Sequence, residues 1–170
     1  MKAIVIYHTR FGNTERIAKS IAAGLNKDSS SGIQDVVCTN LRDIVAVDNS
    51  LKEYDIICIG GPTEGFSAPK PIKEFLRKLK GINLAGNYGF AFDTKVDFRL
   101  SGSAAKSIEK ELRSQGLQII APHESAIVFT SKEGGTIAGA RLKEGEDKRF
   151  EQIGLQLGSA VSATRRAPSA

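Results

Sequence analysis

Cysteine, tryptophan and long apolar runs are scarce or missing in this sequence, and each shortage excludes a class of protein. Two cysteines in 170 residues are too few for a disulfide scaffold. No apolar run approaches the roughly 18 residues of a membrane-spanning helix, and the apolar stretch at residues 3–6 is too short for a signal peptide. With 41% hydrophobic and 25% charged residues, the composition is that of an ordinary globular protein, which we expect to be cytoplasmic.

The net charge of +5 is unevenly spread along the chain. Residues 61–120 carry ten lysines and arginines against six acidic residues, whereas residues 1–60 carry seven of each. Nucleic-acid binding is not indicated, because clustered arginines interleaved with aromatic residues are missing from this basic segment. The charge instead favours anionic ligands or an acidic partner protein.

Short apolar runs alternate with segments of helical periodicity. The apolar runs predict strands at residues 3–7, 36–39, 56–59 and 88–92, and a fifth strand, broken at Pro122, at residues 117–120 and 125–129. Segments with helical spacing of apolar residues lie between these predicted strands, and another such segment follows residue 149. Continuous apolar strands between helices predict an α/β fold, a doubly wound five-stranded parallel sheet with helices on both faces. We expect a single domain over residues 1–163, a long glycine-rich loop at residues 130–145 and a flexible tail at residues 164–170.

The segment after the first strand has the chemistry of a phosphate cradle. Residues 9–15 read Thr-Arg-Phe-Gly-Asn-Thr-Glu and lead directly into a predicted helix. A glycine turn lets backbone N–H groups converge, two threonine hydroxyls can donate, and the helix N-terminus contributes positive potential. The alternative is a helix that Asn13 or Thr14 simply caps. Neither GxxxxGK[ST] nor GxGxxG is present, so a cradle for a single terminal phosphate is indicated.

Three segments in the same order resemble those of the flavodoxin family. Thr9-x-x-Gly12-x-Thr14 resembles its FMN phosphate loop, Ile59-Gly60-Gly61-Pro62-Thr63 its first flavin-flanking loop, and Phe92 through Phe98 its second. The match spans most of the chain. The resemblance implies strand order 2-1-3-4-5, non-covalently bound FMN and electron transfer with redox partner proteins.

The resemblance also implies a set of cofactor-binding residues in these three loops: Thr9, Arg10, Phe11, Gly12, Asn13, Thr14, Pro62, Thr63, Glu64, Gly65, Phe66, Asp93, Thr94 and Phe98. A flat, apolar flavin ring needs aromatic or aliphatic flanks, and Phe66 and Phe98 are the aromatic residues available in the two flanking loops. Family members often place tryptophan or tyrosine there; this chain has no tryptophan at all. Gly65 permits the peptide flip by which flavodoxin-like proteins turn a carbonyl toward the flavin. Asp93 is expected beside the ring. Each phenylalanine could also be a core anchor, and Gly65 a plain turn residue.

The remaining reactive residues indicate no metal site and no nucleophile. His8 and His123 lie far apart, without cysteines or carboxylates at ligand spacing. In the implied strand order, Cys38 and Cys58 lie two strand spacings apart, about 9–10 Å, which exceeds the reach of a disulfide. We therefore expect two buried free thiols.

Two functions of different class stay open at this point. The first is an FMN-dependent electron carrier. The run of lysines and arginines in its second helix is typical of a solvated helix face, and its functional alternative is a docking surface for an acidic redox partner. The second is an FMN-dependent oxidoreductase acting on a quinone or a tetrapyrrole precursor, for which the 130–145 loop would be an addition and the basic surface would allow peripheral contact with anionic membranes. The sequence does not indicate an oligomeric state.

Overall fold

The computed structural model describes residues 1–27, 31–44, 49–98, 102–129 and 140–166. Its helices are α1 (Asn13–Lys27), α2 (Lys70–Leu79), α3 (Ala104–Ser114) and α4 (Glu146–Arg166). Its strands are β1 (Lys2–Tyr7), β2 (Asp35–Asn40), β3 (Ile56–Pro62), β4 (Tyr88–Val96), β5 (Gln118–Ile119), β6 (Glu124–Phe129) and β7 (Arg141–Leu142). Two short 3₁₀ helices, Leu41–Asp43 and Asn49–Glu53, connect β2 to β3.

The sheet confirms the predicted order of parallel strands. Its order is β2-β1-β3-β4-β6-β7, and β5 also pairs with β4. β5 and β6 both run parallel to β4 at different places along it, so together they form the interrupted fifth strand. Pro122 lies between them, where a residue without an N–H cannot continue the ladder.

Helices cover both faces of the sheet, as the continuous apolar strands predict. On one face, α2 and α3 pack against Ile4, Ile57 and Ile59. On the other, α1 and α4 pack against Val5 and Phe90. Alternate residues of each central strand therefore enter different cores, which is why strands such as β1 are apolar almost throughout. Local signals fix the helix starts: the Ser103 hydroxyl caps α3 by accepting from the Lys106 N–H at 3.1 Å.

Two expectations about the last third of the chain are corrected. Within the predicted 130–145 loop, β7 pairs with β6 in the antiparallel sense, so the sheet is not wholly parallel; residues 130–139 lie outside the described part. The tail does not begin at residue 164, because α4 continues through Arg166. Arg165 holds this last turn by binding the Asp55 carboxylate and lying over the Tyr88 ring at 5.9 Å.

The cysteines flank the first strand, as the strand order predicts. Val5 pairs with Cys38 on one side and with Cys58 on the other, and both thiols are free. Cys58 is fully buried, but Cys38 is only partly buried, because β2 is the edge strand of the sheet. The expectation that both thiols are buried is therefore wrong for Cys38.

Candidate cofactor site

Three strand ends enclose a cleft at the carboxyl edge of the sheet, where parallel α/β sheets bind ligands. Its volume is about 110 Å³, which is well below the roughly 300–1,000 Å³ of a pocket that holds a whole ligand. It therefore suits one end of a ligand, with the rest lying across the rim. The loops after β1 and β3 contribute most of the lining, together with the end of β4; the full lining is Thr9, Arg10, Phe11, Asn13, Thr14, Pro62, Thr63, Glu64, Thr94, Lys95, Val96, Val128 and Ala140.

The loop after β1 is shaped to receive an anion. Gly12 has φ +82°, a left-handed conformation that favours glycine, and its N–H donates to the Thr9 hydroxyl at 3.0 Å. This turn aims the start of α1, at Asn13, toward the cleft. The first N–H groups of a helix have no intrahelical acceptor, and the helix dipole adds positive potential there.

Two hydrogen bonds fix this loop to the neighbouring segments. The Thr14 and Thr94 hydroxyls lie 2.9 Å apart and are both buried. A hydroxyl pair uses only one of its two protons, so one donor remains for a ligand in the cleft. The Asn13 side-chain amide donates to the Ala140 carbonyl at 2.7 Å. The inner wall of the cleft is thus preorganised and polar.

The loop after β3 is a tight turn that exposes an aromatic ring. Glu64 and Ser67 exchange two backbone hydrogen bonds, of 2.9 and 3.1 Å, around Gly65 and Phe66. Both central residues have positive φ, +52° for Gly65 and +68° for Phe66, as type I′ turns require. Positive φ is strained for phenylalanine, and such strain is typical of functional sites. The Arg10 guanidinium, 3.3 Å from the Glu64 carboxylate, links this turn to the first loop.

Asp93 lies behind the turn rather than on the cleft. It is fully buried, and its Oδ2 accepts hydrogen bonds from the Thr63 hydroxyl at 2.9 Å, the Ser103 hydroxyl at 2.8 Å and the Ala105 N–H at 2.9 Å. Its Oδ1 has no protein partner. Asp93 therefore ties the β3 loop to the start of α3 and does not line the cleft.

Exposed aromatic residues lie at the same edge of the sheet as the cleft. Four large hydrophobic side chains are exposed among the described residues, Phe11 by 48%, Phe66 by 68%, Phe98 by 59% and Phe129 by 51%. Each follows or ends a different strand, β1, β3, β4 and β6 respectively, so all four lie at the same edge of the sheet. Exposed apolar side chains gathered at one edge mark a binding surface.

The charges around the site are mainly positive. Arg10 and Lys95 line the cleft, with Glu64 as the acidic residue of the lining. His8, at the end of the β1 segment, is 5% exposed, and burial together with the nearby Arg42 lowers its pKa. His8 is therefore neutral at pH 7 and adds no charge of its own.

The structure brings most of the predicted residues together. Nine of the fourteen line the cleft: Thr9, Arg10, Phe11, Asn13, Thr14, Pro62, Thr63, Glu64 and Thr94. The other five do not: Gly12 and Gly65 shape the turns, Asp93 is buried, and Phe66 and Phe98 stand outside the lining with exposed rings. The lining also includes Lys95 and Val96, which lie within the predicted second flavin-flanking loop, and Val128 and Ala140, which sequence reasoning missed. Val128 could have been found from the alternation of β6, whereas Ala140 had no signal.

Comparison with known proteins identifies the family. Residues 4–115 match the family model described as a flavodoxin domain. The flavodoxin of Clostridium saccharobutylicum is 35% identical over 166 residues, which cover 95% of this chain and 98% of that protein. A solved structure of a flavodoxin from the domain Archaea superposes with a TM-score of 0.73 at 24% identity, covering 95% of this chain and 99% of that one.

The chain belongs to the flavodoxin family, whose members bind FMN and transfer electrons to redox partners. It also matches larger proteins: diflavin flavoprotein A 5 of Nostoc sp. is 28% identical over 165 residues, and this chain spans only 26% of its length. The residues present fit FMN, since the hydroxyls and the helix start on the inner wall suit a phosphate and the exposed phenylalanines at the same edge of the sheet suit an apolar ring. Among the described residues, no helix is long and apolar enough to cross a membrane.

Proposed function

We propose that the phosphate of FMN binds in the loop after β1 and that its ring lies between the exposed side chains of Phe66 and Phe98. The observation that supports this most strongly is the position of the exposed phenylalanines. They lie at the edge of the sheet that holds a cleft with threonine hydroxyls on its inner wall, and this cleft is too small for the whole cofactor. An apolar ring against these side chains would remove exposed aromatic surface from water.

Each group of the site then has a role. Thr9, Thr14 and the N–H groups around Gly12 and Asn13 hold the phosphate, and Arg10 adds a positive charge near it. Phe11 covers the outer side of the loop. Pro62, Thr63 and Glu64 orient the chain beneath the ring, and Gly65 allows the turn to face the ring. Thr94 holds the phosphate loop in place through its hydrogen bond with Thr14. FMN, when bound, supplies the redox chemistry.

We further propose that the protein is a carrier rather than an oxidoreductase, that its partners are acidic redox proteins, and that it works in the cytoplasm. The net charge of +5 supports acidic partners. The two free cysteines suit a reducing compartment. An FMN-dependent enzyme would instead show sustained turnover with NAD(P)H and a quinone.

The FMN affinity of loop variants tests the assignment. Thr14→Val keeps the shape of the side chain but removes the hydroxyl, and Gly12→Ala places a Cβ at a positive φ, which costs roughly 1–2 kcal/mol. Both should weaken FMN binding by at least about tenfold, the factor that 1.4 kcal/mol represents. Cys38→Ser, outside the loop, is the control and should leave affinity unchanged. Equal affinity in all three variants would refute the cradle, and steady turnover of a quinone by the wild type would favour the oxidoreductase.

A further inference from the structure

A groove with an apolar floor and basic walls runs between α2 and α3. It has a volume of about 420 Å³. Ala68 and Leu76 form the floor, and both are almost fully buried. The walls carry charged side chains from both helices: Lys73, Arg77, Lys80, Lys110 and Glu111.

Most of the positive charge along this groove is not neutralised by the protein. Among the described residues, no carboxylate lies within 4.0 Å of the charged groups of Lys73, Arg77 or Lys110. Glu111, the acidic residue of the lining, is held by Lys80 at 3.4 Å. Long side chains of the same sign, brought together by two packed helices, raise the local potential and attract a negatively charged surface.

The groove continues toward the cofactor site. Ser107 and Lys110 line both this groove and a second cleft of about 560 Å³ on the other side of α3. That second cleft is lined by Phe66, Gly102, Ser103, Lys106, Ser107, Glu109, Lys110, Arg113 and His123. Its carboxylate, Glu109, is already bonded by Arg113 at 3.0 Å and by His123 at 2.8 Å. An uncompensated basic strip therefore leads from α2 to Phe66.

We propose that the α2–α3 groove, extended by the second cleft, is the docking surface for an acidic segment of a redox partner protein. Carboxylates of the partner would pair with Lys73, Arg77, Lys106 and Lys110, and its apolar side chains would meet the groove floor and Phe66. This inference rests on the proposed function, because Phe66 is the residue proposed to flank the ring. A partner bound in this groove approaches the cofactor from the side on which Phe66 lies. Complementary charge of this kind raises the association rate and fixes the orientation of the encounter.

The test compares two pairs of lysines of equal charge. Lys73→Glu with Lys110→Glu reverses the charge of the groove. Lys143→Glu with Lys148→Glu reverses two exposed lysines at or near the start of α4, the helix that packs on the opposite face of the sheet. Both double variants change the net charge equally. The probe is an oxidised [2Fe–2S] ferredoxin of net negative charge, and its dissociation constant from the FMN-loaded protein is measured by calorimetry at low and at high salt. A vesicle containing phosphatidylserine serves as a second anionic probe.

The groove substitutions should weaken ferredoxin binding at least about tenfold at low salt, and the control substitutions less than about threefold. The difference between the two should shrink near 0.5 M salt, because salt screens the charges. Equal weakening by both pairs, or no ferredoxin binding by the wild type, would overturn the proposal. The proposal would also be overturned if the groove variants lost vesicle binding while their ferredoxin binding stayed unchanged, because the basic strip would then be a membrane-binding surface. The flavin absorbance of each preparation is read separately: its absence contradicts the proposed function, while the calorimetry still reports on the groove.

Discussion

Replacing Asp93 with alanine should destabilise the protein and loosen the turn that carries Phe66. Asp93 Oδ2 accepts three hydrogen bonds, from Thr63, Ser103 and the Ala105 N–H, at 2.8–2.9 Å. At roughly 1.5 kcal/mol for each bond to a charged group, their loss would cost about 4.5 kcal/mol. Removing Oδ1, which is buried without a protein partner, returns about 2 kcal/mol of that. The expected loss in the free energy of unfolding is therefore about 2.5 kcal/mol.

Urea unfolding of the apoprotein measures this loss directly. Ser103→Ala is the matched control, because it removes one of the three bonds and the N-cap of α3, worth about 1 kcal/mol. Asp93→Ala should also weaken FMN binding more than Ser103→Ala does, since it removes the acceptor of the Thr63 hydroxyl, next to the Glu64–Ser67 turn, and leaves that side chain only its bond from the Ala104 N–H. If Asp93→Ala costs no more than Ser103→Ala in both measurements, Asp93 is not the tie between the two loops.

Two further predictions concern titratable groups away from the cleft. Burial raises the pKa of the Cys38 thiol to about 11 and raises that of Cys58 further, so at pH 8 a thiol reagent should label Cys38 roughly 200-fold more slowly than a free cysteine and should reach Cys58 only on unfolding; rapid labelling of the native protein would contradict the burial of these strands. Burial opposes ionisation of Glu109, but hydrogen bonds from His123 and Arg113 outweigh it and lower its pKa below the ordinary 4.5. Its stabilising effect is therefore present above that value and is lost as the pH falls through the lowered pKa. The stability gap between wild type and Glu109→Gln, about 1–2 kcal/mol at pH 6, should close as the pH falls through the lowered pKa of Glu109, and a gap that stays constant with pH would refute the sign.

The parts of the fold that depend on hydrophobic periodicity were predictable. The four central strand positions and the broken fifth strand follow from apolar runs such as Ile56–Ile59 and from Pro122, and the strand order came with the family resemblance. β7 was not predictable, since two residues, Arg141 and Leu142, carry no periodic signal. The continuation of α4 through Arg166 depends on long-range contacts with Asp55 and Tyr88, which a local pattern cannot reveal.

The candidate site, too, was predictable only where the signal is local. The residues of the first loop were predictable because their chemistry is local: a glycine turn, hydroxyls and a helix start in one run of six residues, Thr9–Thr14. The contacts of Asp93 were not predictable, because the partners of a carboxylate at a strand end depend on where the next helix, α3, begins. Phe129 escaped notice for a related reason: its exposure follows from the end of β6, not from its own neighbours.

The most direct test of the whole account is the absorbance spectrum of the purified protein after incubation with FMN and desalting. The account predicts flavin bands near roughly 370 and 450 nm that survive desalting at one FMN per chain and that are weaker after the same desalting in Thr14→Val and Gly12→Ala. A wild-type protein that emerges colourless, or Thr14→Val and Gly12→Ala variants that retain FMN as well as the wild type, would leave the fold in place and contradict the proposed cofactor site.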